Sequence, residues 1–86
     1  CMSRCDMELA KNWRRVENTW FLYVDRSGVA FINIACISPT SEGWVLEIWI
    51  GPRFSGGWVR HAEFSDLETA KAVGRIVAAQ YLDQNF

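Results

Sequence analysis

The chain has 86 residues, 50% of them hydrophobic and 22% charged, with nine Lys and Arg against ten Asp and Glu for a formal net charge of −1. That is room for one domain around one core, too apolar for a disordered chain and without the positive excess that coats nucleic acid by charge alone. No apolar run reaches the ~18 residues of a membrane-spanning helix, and the unusual burden is aromatic: five Trp, five Phe and two Tyr.

In chain order, residues 1–11 read as an N-terminal arm ahead of a single domain at 12–86. Within the arm, residues 1–6 fit a remnant placed before a native start at Met7, and residues 7–11 fit a brief helical turn or a loose arm. Trp13 to Val16 fits a short strand, and Glu17-Asn18-Thr19 a turn. Trp20 to Val24 is aromatic and branched, which suits a pleated sheet. Asp25-Arg26-Ser27-Gly28 is a hairpin signal, followed by a strand from Val29 to Ile37. A polar loop at 38–43 leads to a strand from Trp44 to Ile50. The glycine-rich loop Gly51 to Gly57 presents Arg53 and Phe54, and Trp58 to Phe64 completes the sheet. Both prolines fall in loops.

The period then changes. Ser65 and Glu68 have the spacing of a capping box, and Asp66 and Glu68 suit the positive start of a helix. Leu67, Ala70, Val73, Gly74, Val77, Ala78 and Tyr81 recur at steps of three and four. Gly74 lies on that stripe, where it lets the helix approach the sheet closely. The expected fold is α+β: a two-layer domain, order β-β-β-β-α, with a four- to five-stranded antiparallel meander and one C-terminal helix packed on one face.

Strand alternation sorts the side chains. Trp20, Leu22, Val24, Ile32, Ile34, Cys36, Trp44, Leu46, Ile48, Trp58, Ala62 and Phe64 are expected on the helix side, with Arg60 a charged exception that snorkels. Phe21, Tyr23, Phe31, Asn33, Val45, Glu47, Trp49, His61 and Glu63 are expected on the other side. One helix cannot cover both faces. The second face is therefore covered by the N-terminal arm through Leu9 and Trp13, by a second copy in a homodimer, or by a foreign partner.

Chemistry is sparse. The three cysteines, Cys1, Cys5 and Cys36, do not make a disulfide framework, and a reducing cytosol is the simplest compartment. Structural zinc takes about four ligands, and His61 is the sole histidine; no metal and no cofactor are expected. His61 alternates with Glu63, an acid–base pair in principle, but a single histidine on a strand is read as surface. No nucleophile set and no phosphate loop is present, so the chain is not expected to be an enzyme. The partner-binding candidates are Phe21, Tyr23, Phe31, Trp49, His61, Arg53 and Phe54.

Two resemblances bear on function. The β-β-β-β-α order resembles that of the sheet-based coactivators that bind single-stranded DNA. This implies a single-strand-binding alternative that uses the aromatic face, although Glu47 and Glu63 lie on that face and nucleic acid is disfavoured. The plan of Trp13, the Trp20-Phe21-Leu22-Tyr23-Val24 strand, Gly28 and the Phe64 to Lys71 segment opening a helix resembles small phage and prophage accessory proteins of the anti-CRISPR type. That resemblance implies a stoichiometric inhibitor in the bacterial cytoplasm that binds a Cas subunit and blocks DNA recognition or cleavage. The group shares no signature, so it transfers no functional residue.

Overall fold

A computed structural model describes residues 7–26, 29–51 and 55–85. It is an α+β fold: β1 (Met7–Leu9), β2 (Arg14–Val16), β3 (Thr19–Arg26), β4 (Val29–Pro39), β5 (Trp44–Ile50), β6 (Gly57–Phe64) and α1 (Leu67–Asn85). All strand pairs are antiparallel, in the order β1-β3-β4-β5-β6, with β2 also paired to β3. The expected meander and single helix are present.

The N-terminal edge differs from expectation. Residues 7–11 contain a strand rather than a helical turn or loose arm, so the sheet begins before residue 12. β1 pairs with Val24–Arg26 and β2 with Thr19–Phe21, so the two are halves of one interrupted edge strand. Between them the chain leaves the sheet edge toward the helix. Arg75 holds this excursion: its Nη1 donates to the Ala10 carbonyl at 2.8 Å and its Nη2 to the Lys11 carbonyl at 2.7 Å. Trp13 then packs between helix and sheet. A Cβ on Gly74 would meet Trp13 Cη2 at 2.9 Å and Leu46 Cδ1 at 3.0 Å. The glycine is the space that the indole fills.

The core lies between α1 and one face of the sheet. Leu22, Val24, Ile34, Ile37 and Leu46 are fully buried, with Ala70 and Ala78 from the helix against them. The expected helical stripe is the one that packs. The start of the helix differs in detail. Asp66, not Ser65, is the cap: its Oδ2 accepts from the Thr69 backbone N–H and from the Thr69 hydroxyl, each at 2.9 Å. Glu68 instead faces Lys71 across 3.8 Å.

Three bulges interrupt the ladders: Phe31 is extra between the Val24–Ile32 and Asp25–Ala30 pairs, and the two others correct the face assignment. In β4, Leu22 pairs with Ala35 but Tyr23 pairs with Asn33, so Ile34 is an extra residue. Beyond it Ala35 and Ile37 are the residues buried on the helix side, while Cys36 is directly opposite Phe21 and Glu47 on the other face. In β6, Leu46 pairs with Ala62 but Glu47 pairs with Arg60, which makes His61 the extra residue. Trp58 and Arg60 therefore share a face with Trp49 and Glu47, not with Ala62 and Phe64. A bulge adds one residue to one strand and inverts the alternation beyond it. Arg60 needs no snorkelling, because it is not on the core side.

Candidate binding face

The sheet face away from α1 is built in cross-strand rows. One row runs Arg14, Phe21, Cys36, Glu47, Arg60 across five strands. Beside it lie Tyr23 opposite Asn33, and Trp49 opposite Trp58. Trp49 and Trp58 meet edge to face, with centroids 5.4 Å apart and ring planes at 80°. Phe21 and Trp58 sit on strands three spacings apart, about 14 Å of backbone. Their centroids are nevertheless only 6.5 Å apart. The rings lean toward each other over the face, which gathers them into one aromatic cluster, here called the tray.

The floor of the tray is Cys36, 5% exposed. Its thiol donates to Glu47 Oε1 at 3.6 Å. Burial, then the adjacent Glu47 charge and that hydrogen bond, push the thiol up to about 12. Cys36 is thus a small packing residue and not a nucleophile.

Charges frame the rings. The Arg14 guanidinium lies 4.9 Å from the centre of the Tyr23 ring, within cation–π range. Arg60 Nη1 lies 3.2 Å from Glu63 Oε2. The Glu63 carboxylate is thereby engaged by Arg60, which weakens the case for it as a base partner of His61. Among the described residues no group of three or more His, Cys, Asp or Glu is placed to hold a metal ion.

Of the residues expected to bind a partner, Phe21, Tyr23 and Trp49 are brought together on this face and are half-buried. His61 is exposed at the β6 bulge. Phe31 belongs to β4, but its side chain lies outside the described set, as do Arg53 and Phe54 entirely. Leu9 and Trp13 do not cover the face: Leu9 is opposite Val24 and packs against the core, and Trp13 packs at Gly74 on the opposite side. Alternation alone missed Trp58, Arg14 and Arg60. The one available signal was Arg60 itself: a charged side chain in an otherwise apolar row marks a change of parity.

Comparison with protein-family models, with curated proteins and with solved structures gives no match. No helix among the described residues is long and apolar enough to cross a membrane.

Proposed function

We propose that this chain is a non-enzymatic binding protein that holds a protein partner on the aromatic sheet face. Following the resemblance to anti-CRISPR proteins, the partner is a subunit of a bacterial Cas complex, blocked by occupation in the cytoplasm. The observation that carries the reading is the composition of the tray. Phe21, Tyr23, Trp49 and Trp58 cluster with Arg14 and Arg60 on a face that no described element covers. Tyr, Trp and Arg supply most of the binding energy at protein interfaces, and about 800 Å² on each side makes a specific complex.

The test is an interference assay. The chain is expressed in bacteria with active CRISPR systems of several types, beside a Trp49→Ala/Trp58→Ala double variant. The wild type restores phage plaquing against at least one type, and the double variant does not. Inhibition of no type, or full inhibition by a folded double variant, overturns the reading.

A single-strand nucleic-acid module is the second reading, favoured by Arg14 and Arg60 flanking stackable rings. Glu47 and Glu63 share that face and oppose a phosphate backbone. A labelled oligonucleotide titrated at low and moderate salt separates the two. Binding that weakens as salt rises supports the nucleic-acid reading, and no binding at low salt removes it.

A further inference from the structure

β6 is the last strand of the sheet, and no described strand pairs with its outer side. An edge of this kind presents a row of backbone N–H and C=O groups to the next strand that arrives. The opposite edge is broken into β1 and β2, of three residues each, whereas β6 runs for eight. Trp58 on one face of β6 is 38% exposed and Val59 on the other is 52% exposed, two of the four exposed large apolar side chains among the described residues. Charged residues blunt many edges, and β6 carries Arg60, His61 and Glu63. Here their arrangement is self-complementary.

The His61 bulge makes it so. A strand of strict period two, laid antiparallel on its own copy about a two-fold axis normal to the sheet, brings together only residues an even number apart. Arg60 and Glu63 are three apart. Because His61 is extra, both lie on the tray face, opposite Glu47 and Val45, while Val59 and Phe64 both lie on the helix face, opposite Ile48 and Trp44. One register then sets Arg60 opposite Glu63 of the second copy on one face, and Val59 opposite Phe64 of the second copy on the other. The unlike charges and the apolar pair each meet twice about the axis. Arg60 and Glu63 already approach within the chain to 3.2 Å, with side chains 67% and 55% exposed. Pairing closes them into a ring of two arginines and two glutamates.

We infer that β6 is a self-association edge, to which a second copy of this chain adds antiparallel in that register. The dimer has one continuous sheet, and both trays face the same side of it. The inference does not depend on the protein partner proposed for the tray.

Sedimentation equilibrium of the full chain tests it. The wild-type mass rises from one chain to two with concentration. Arg60→Glu and Glu63→Arg each weaken the dimer by about tenfold, because each turns both symmetry-related contacts repulsive. An equimolar mixture of the two variants dimerises as the wild type does, since each offers the charges the other lacks. The pair within each chain stays repulsive in that mixture, so the recovery reads the contact between copies. The double variant Arg60→Glu/Glu63→Arg keeps the net charge and also matches the wild type. Val59→Lys, at an exposed site outside the charge pair, weakens the dimer and keeps the test decisive where a charge variant fails to fold. Three results overturn the inference: a wild type that stays monomeric at millimolar concentration, wild-type affinity in the folded single variants, or no recovery in the mixture.

Discussion

Cys36 is a residue whose surroundings decide its chemistry. It lies on the sheet face away from the helix, opposite Phe21 and Glu47, yet it is 5% exposed. Burial disfavours the thiolate first, and Glu47 adds to that effect, so the thiol is pushed from 9.0 up to about 12. In the native protein at pH 8, the Cys36 peptide resists iodoacetamide, and it labels once the chain is unfolded; peptide mapping by mass spectrometry reads both. Linkage gives the alkaline consequence. The unfolded thiol ionises from about pH 9 while the folded one stays protonated to about 12, so the stability Cys36 contributes is complete below pH 9 and is lost as pH rises across that window. A Cys36→Ser variant flattens that part of the curve of thermal midpoint against pH.

At the scale of elements, the helix is fixed at its start by Asp66 and at its middle by Gly74. Hydrogen bonds from the Thr69 backbone N–H and hydroxyl hold the Asp66 carboxyl below its ordinary value of 3.8. The cap contributes stability above that value and loses it as pH falls through the lower folded value. Asp66→Asn keeps an acceptor without the titration, and its thermal midpoint varies less than the wild type's between pH 5 and pH 2. Gly74→Ala gains about 1 kcal/mol of helix propensity. It also places a methyl at 2.9 Å from Trp13 Cη2, and overpacking costs typically 1–3 kcal/mol. The rigid indole and the fully buried Leu46 have little room to give, so the variant has the lower denaturation midpoint.

The same scale shows how far the sequence could be read. The strands from Thr19 onward, the turn at Glu17-Asn18 and the helical stripe were legible because period and polar turn residues are local signals, while the hairpin expected at Ser27-Gly28 lies outside the described residues. The close approach at Gly74 was legible for the same reason. The bulges at Ile34 and His61 were not. Neither residue carries a turn signal, and each bulge exists to satisfy pairing with a strand whose position only the fold supplies. β1 was missed because three residues are too few to show alternation, and it gains its partner only when β3 is in place. The candidate face was therefore half legible. Phe21, Tyr23 and Trp49 were assigned to it correctly, while Trp58, Cys36 and Arg60 were on the wrong side of a bulge.

For the whole molecule, nine of the twelve aromatic rings belong to side chains the structure describes, and they divide between the two faces of the sheet. Trp13, Trp20, Trp44, Phe64 and Tyr81 pack on the core beneath or beside the helix. Phe21, Tyr23, Trp49 and Trp58 lie on the other face of the sheet, where Tyr23 also packs against the core and Trp58 is 38% exposed. The edge-to-face pair of Trp49 and Trp58 contributes about 0.5–1.5 kcal/mol beyond its buried area, and a cooperative thermal transition of the double variant checks that it folds. The most direct test of the tray as the working surface is phage plaquing under CRISPR interference, compared across three versions of the chain. These are the wild type, Trp49→Ala/Trp58→Ala, and Ile76→Ser, which changes a 61% exposed apolar residue on the outer face of the helix. The wild type and Ile76→Ser restore plaquing equally and the tray variant fails. Loss of activity in Ile76→Ser with retention in the tray variant contradicts the account.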